Sequence, residues 1–266
     1  MFSLLSSIAI TNIIYLALGK LFVKTNASNL KDFSEITIIG FIYSSFIALL
    51  INFFNPLDLK INTLVILILL LIFFFKRKKF NKKELFILSI SIFFSFFVIL
   101  LDTINRPDAG MYHLPFIKII NEEKIIFGLA NLHARFGHIS IIQYASAINN
   151  NFLIGDIGIL IPLISIYSFL TFYFLGDILD FLSNNKKQNF NYLSIFFSTM
   201  VLLYISYKIN RYSEFGNDAI AHLLYFYLVS KLINYKKIDY LGFNKIYLIS
   251  VFAILNKFRL IFSILI

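Results

Sequence analysis

A few carboxylates, histidines and cations stand out in a chain otherwise poor in polar side chains. Asp108 lies in Asn105-Arg106-Pro107-Asp108-Ala109-Gly110-Met111-Tyr112-His113, shortly after an apolar run that ends at Leu101 and is followed by Asp102. A carboxylate kept ionised by a helix N-terminus can accept a proton from an incoming hydroxyl, which is the work of a general base. The same position also suits a structural role, with Asn105 as N-cap, Pro107 in the first turn and Asp108 beside the positive end of the helix dipole. Tyr112 stands four residues on and shares a helix face with Asp108. His113 follows directly, and Pro115 then predicts a helix break at Leu114. Asp218, after Glu214, Gly216 and Asn217, opens another apolar run, as an N-cap or as a second carboxylate for the same face. His222 follows one turn later.

Two further segments carry polar groups. Asn131-Leu132-His133-Ala134-Arg135-Phe136-Gly137-His138 is polar at alternating positions. It lacks the spacing of His-Glu-x-x-His, so no metal ligands are assigned. Asn256-Lys257-Phe258-Arg259 interrupts the last apolar run. Cations inside a membrane span are costly and functional by default, and a lipid phosphate is the natural partner for Lys257 or Arg259. There is no Gly-rich phosphate loop, dinucleotide fingerprint or Gly-x-Ser-x-Gly elbow, so no nucleotide cofactor is expected, while a divalent metal stays open.

The elements that must position these residues are transmembrane helices. Of 266 residues, 59% are hydrophobic and 14% charged, against roughly 45–50% and 25% in a soluble domain. The apolar runs are continuous rather than alternating, which selects helices over a barrel. Spans are expected near Ser3–Phe22, Glu35–Phe54, Ile61–Phe75, Leu85–Leu101, Phe152–Leu175, Tyr192–Tyr207, Ala219–Ile233 and Ile246–Ile266, giving an all-α polytopic membrane protein with seven to eight spans. The net charge of +10 does not point to nucleic acid, because the cations fall in short loops between the spans. Lys76, Arg77, Lys78, Lys79, Lys82 and Lys83 mark one such loop as cytoplasmic. Alternation then places Lys24–Lys31, Asn184–Lys187 and Lys236–Lys245 inside too.

The outside receives Asn55–Lys60, Asp102–Asn151 and Asn210–Asp218, and with them His113, His133 and His138, while His222 falls one turn into the span Ala219–Ile233 on the same outer side. The segment 102–151 is the one long loop, and long loops tend to be functional. Phe116, Ile117, Ile119, Ile120, Ile125 and Ile126 predict amphipathic helices at the interface, and Ile139–Ile148 a short re-entrant or interfacial helix. The whole chain reads as one transmembrane domain without cysteines, placed in the cytoplasmic (inner) membrane with its candidate site on the outer, periplasmic face. It stops inside an apolar run, Leu260–Ile266, which reads as a truncation.

These residues resemble the GT-C class of membrane glycosyltransferases. The shared pattern is an Asp soon after a spanning helix, an aromatic-His pair a few residues later and a long outer loop, here Asp108, Tyr112-His113 and the run to Asn151. Asp108-Ala109-Gly110-Met111-Tyr112-His113-Leu114-Pro115 and Gly128-Leu129-Ala130-Asn131-Leu132-His133-Ala134-Arg135 are similar to a group of bacterial envelope proteins of GT-C-like character. Two features depart from the pattern: Ala109 stands where a second acidic residue is usual, and three spans precede the helix before Asp108.

The resemblance implies a polyprenyl-phosphate-linked sugar as donor, an envelope glycan, lipid or protein as acceptor, and inversion at the anomeric carbon. Asp108 would be general base, with Asp218 orienting the acceptor or a metal. Asp102, Tyr112, His113, Asn131, His133, Arg135, Glu214, Lys257 and Arg259 would line the substrate site. Lys257, Arg259 or Arg135 would stabilise the departing phosphate. Three other readings remain open: a transporter or flippase of lipid-linked glycans, an O-antigen-type polymerase, and an inactive membrane subunit.

Overall fold

The computed structural model describes residues 2–23, 27–76, 80–101, 107–137, 140–183, 191–234 and 240–257. The described residues form helices α1 (Phe2–Phe22), α2 (Leu30–Phe54), α3 (Leu59–Lys76), α4 (Lys82–Leu101), α5 (Leu114–Glu122), α6 (Ile141–Asn149), α7 (Ile161–Ser183), α8 (Tyr192–Lys208), α9 (Asp218–Asn234) and α10 (Tyr240–Asn256), joined by short π- and 3-10 turns. No strand occurs among them. Among the described residues, five helical segments are long and apolar enough to cross a membrane: Phe2–Phe22, Leu30–Phe54, Lys82–Leu101, Asp156–Ser183 and Tyr192–Glu214. Leu59–Phe75 and Gly242–Asn256 are apolar but shorter.

Each expected span overlaps a helix among the described residues, and the bounds of α2, α7 and α10 shift most. Helix α2 starts before Glu35 because the Asn29 side chain caps it, accepting the Asp32 N–H at 2.9 Å. The run expected from Phe152 becomes α-helical only at Ile161. Asn151 first accepts the N–H groups of Leu153 and Ile154 on its side chain, and Gly155 then turns the chain at φ +77. Helix α10 begins at Tyr240 rather than Ile246 and ends at Asn256. The segment Leu260–Ile266 lies outside the described residues.

Helices α1, α2 and α7 form the centre. A Cβ at Gly19 would overlap the carbonyl oxygen of Ile36, and one at Gly40 that of Tyr15, so α1 and α2 touch backbone to backbone. Close approach of this kind lets apolar helices pack tightly where hydrophobicity alone gives no preference between protein and lipid. Buried hydroxyls and amides then satisfy one another across helices. Ser165 donates to Asn12 Oδ1 at 2.6 Å, and the Ser91 and Ser168 hydroxyls lie 2.8 Å apart, tying α1, α4 and α7.

The two ends of the bundle differ. One holds ion pairs between Lys20 and Glu84, Lys31 and Asp177, and Lys231 and Glu35. Glu84 is fully buried and also accepts the Ala27 N–H at 2.6 Å and the Asn81 N–H at 3.0 Å, so its charge is both paired and hydrogen-bonded. The opposite end is covered by α5, α6 and the turns around them. Asparagine side chains fix this cover from below. Asn52 Nδ2 donates to the carbonyls of Ile120 and Glu123 at 3.1 and 3.0 Å, and Asn62 Nδ2 to those of Ala147 and Asn150 at 2.9 and 2.7 Å. All residues of α6 are buried, so this helix is packed within the protein rather than laid on an interface.

Candidate functional site

The covered end gathers most of the chemistry-bearing side chains. Pro107 and Asp108 lead into a π-turn, Ala109–His113, closed by the Leu114 N–H on the Ala109 carbonyl. The chain continues directly into α5, and the break expected at Pro115 does not occur. Pro115 sits in the first turn of α5, and Leu114 keeps helical angles of −65° and −43°. The wide turn just upstream moves aside the carbonyl that a proline ring would otherwise strike. Asn105 lies outside the described residues, and Asp108 makes no side-chain capping bond.

The π-turn presents Asp108, Tyr112 and His113 together. The Tyr112 hydroxyl interacts with both the Asp108 carboxylate and the Arg135 guanidinium. Arg135 lies over the Tyr112 ring at 4.6 Å, and the Tyr112 and His113 rings are 4.1 Å apart. Burial, and then the negative charge of Asp108, raise the Tyr112 hydroxyl above its ordinary pKa, with Arg135 acting in the opposite sense.

His113 is the hub. Its Nδ1 lies 2.9 Å from Gln143 Nε2 on α6. Its Nε2 faces Gly216, where an added Cβ would approach to 2.9 Å. Burial pushes the imidazole down to about 4, and the charges of Asp108 and Asp218 work against that while Arg135 adds to it. His113 is therefore neutral near pH 7. Asp108 and Asp218, far apart in sequence, both bear on one ring.

Asp218 is paired with Lys257, Nζ to Oδ1 at 3.0 Å. The pair is positioned by Asn256, which is buried at the end of α10. Asn256 Oδ1 accepts the Ser140 hydroxyl at 3.0 Å and the Ile142 N–H at 2.9 Å, acting as a cap for α6 from another helix. The Asn256 carbonyl accepts from the Asn217 side chain, so the neighbours of Asp218 and Lys257 are themselves bonded. Asp218 is the first residue of α9 and not its cap; the carbonyl of Asn217 accepts the Ala221 N–H at 2.8 Å. His222 bonds the Tyr204 hydroxyl at 3.1 Å, near enough to feel both Asp218 and Lys257.

Six of the expected residues thus converge: Asp108, Tyr112, His113, Arg135, Asp218 and Lys257. Others do not. Glu214 pairs with Arg211 three residues earlier. Asn131 and His133 are exposed and serve their own turns, with His133 Nδ1 accepting the Arg135 N–H at 3.3 Å and its ring against Phe136. Asp102 and Arg259 lie outside the described residues. Gln143, Gly216 and Asn256 escaped the sequence reading as partners of the site. The usable signal was Gln143, the one amide inside the apolar run Ile139–Ile148.

Among the described residues, no three His, Asp or Glu side chains group to hold a metal ion. What the cluster offers is a partly exposed carboxylate able to take a proton, a neutral imidazole, and two cations able to face an anion. Comparison with curated proteins and with solved structures yields no match. Comparison with protein families matches residues 1–266, and the chain belongs to the family described as Domain of unknown function (DUF8201).

Proposed function

We propose that the protein is a GT-C-like inverting glycosyltransferase that moves a sugar from a polyprenyl-phosphate donor to an envelope acceptor. The observation that carries the reading is the convergence of Asp108 and Asp218 on His113, bordered by Arg135 and Lys257. Asp108 removes the proton from the acceptor hydroxyl as its oxygen attacks the anomeric carbon. The bond from that carbon to the phosphate oxygen breaks, and polyprenyl phosphate leaves with the electron pair. Arg135 and Lys257 offset the charge on the departing phosphate. When the donor binds, before the attack, Lys257 exchanges its bond to Asp218 for one to the donor phosphate, which frees Asp218 to orient the acceptor.

In this reading the bundle crosses the cytoplasmic membrane seven or eight times, with α3, α9 and α10 as the shorter spans. The lysine-rich end faces the cytoplasm and the Asp108 end faces outward. The test uses the purified protein in proteoliposomes supplied with polyprenyl-phosphate-linked sugars. Release of polyprenyl phosphate together with a glycoside of inverted anomeric configuration, read by NMR, supports the reading. Release with retained configuration contradicts it.

A further inference from the structure

Next to the polar cluster lies a cavity of a different kind. One end of α2, helix α5, the segment 123–130 and the pair Phe136–Gly137 line an open-sided cavity of about 290 Å³. Its walls include Phe53, Phe116, Ile120, Phe136 and Tyr144. Asn52 also lines it, but its amide hydrogens are committed to the carbonyls of Ile120 and Glu123. Most of the remaining wall offers a hydrocarbon surface rather than polar partners.

The rim is apolar as well. Ile126 and Phe127 are 43% and 87% exposed, and Phe53, which also lines the cavity, 48%. Exposed aromatic and aliphatic side chains at the end of a helix fit to cross a membrane meet hydrocarbon, not water. Only at one edge does the lining turn charged, where Glu123 and Lys124 stand side by side, and neither joins an ion pair among the described residues. Adjacent carboxylate and ammonium groups match a zwitterion better than a simple anion, which Glu123 would repel.

We propose that this cavity holds a hydrocarbon chain of a zwitterionic phospholipid, with its phosphate at Lys124 and its ammonium at Glu123. The volume, near the lower limit of about 300–1,000 Å³ for ligand pockets, admits a stretch of one chain. None of its lining residues is among those assigned to the donor site, so the proposal stands or falls without the transfer reaction. Phe116 lies one turn beyond His113 on the same helical stretch, so a lipid seated here buttresses the segment that carries the π-turn.

Native mass spectrometry of the purified full chain with a molar excess of phosphatidylethanolamine tests this. The expected result is one retained adduct, weakened at least about tenfold by Ala130→Trp, which narrows the mouth from an exposed position. E123Q/K124Q weakens it similarly, and Ala134→Trp, exposed and off the cavity, leaves it intact. Equal retention of an anionic phosphatidylglycerol, or the same adduct in every variant, overturns the proposal and marks annular lipid. Displacement of the adduct by polyprenyl phosphate also overturns it and assigns the cavity to the donor.

Discussion

Lys257 Nζ lies 3.0 Å from Asp218 Oδ1, linking the residue after α10 to the first turn of α9. With side-chain exposures of 24% and 71%, this pair is too solvated to contribute much to stability; exposed pairs are typically worth about 0–1 kcal/mol. Its consequence is electrostatic, because it sets a carboxylate and a cation at the edge of the site around His113.

That arrangement fixes the direction in which neighbours move His113. Asp218→Asn removes a negative charge and lowers the imidazole further, whereas Arg135→Gln removes a positive charge and raises it. Both substitutions cost under about 1 kcal/mol in thermal unfolding, as expected at solvated positions. A pH titration of ring-labelled histidine by NMR reads the shifts. Movement of His113 in the reverse sense would show that these charges do not face it.

The buried neutral imidazole also makes the protein acid-sensitive. The folded state holds His113 down to about 4, and the unfolded chain binds the proton near 6.5. As pH falls through that window the unfolded state takes up more protons, so stability declines, by on the order of 1–2 kcal/mol at pH 5. His113→Gln removes this component of the slope. Denaturation followed from pH 7 to 5 checks it, and an unchanged slope in the variant refutes the assignment.

Gly216 and Gln143 hold the ring from its two nitrogens. Gly216→Ala drives a methyl against Nε2 and dislodges the imidazole from Gln143. Overpacking of this kind costs about 1–3 kcal/mol. Gln143→Leu leaves the buried Nδ1 without its partner at a similar cost of about 1–3 kcal/mol. In a double variant the two losses fall short of their sum, since both act through one ring. Full additivity by thermal unfolding would disprove the shared contact.

Much of this was readable from residue types alone. Continuous apolar runs located the long helices among the described residues, because a helix is what satisfies the backbone of such a run in lipid. The carboxylates and cations of the site were readable too, since few such groups exist in so apolar a chain. What escaped were contacts made by neutral polar side chains at long range. Asn256 caps a helix that begins more than a hundred residues earlier, and no local pattern announces that. Pro115 misled for a related reason: its local preference gave way to the π-turn before it. The segment Ile139–Ile148 reads as a re-entrant or interfacial helix, and the burial of all of α6 excludes only the interfacial alternative, as the lack of any charged side chain allowed.

The membrane orientation has a direct check, because the chain contains no cysteine. Asn131→Cys lies at the Asp108 end and Lys83→Cys at the opposite one, and both positions are exposed. In intact cells a membrane-impermeant maleimide labels Asn131→Cys and spares Lys83→Cys until the membrane is opened. The reverse pattern inverts the proposed topology.

The central claim is that Asp108 acts as the base of a transfer reaction. The decisive measurement is turnover of Asp108→Asn in proteoliposomes supplied with polyprenyl-phosphate-linked sugars, with thermal unfolding recorded on the same preparation. General-base catalysis contributes about 10²–10⁴-fold, so turnover should fall at least about 100-fold while the unfolding midpoint stays near that of the parent protein. Turnover equal to the parent's in a folded Asp108→Asn protein would contradict the account.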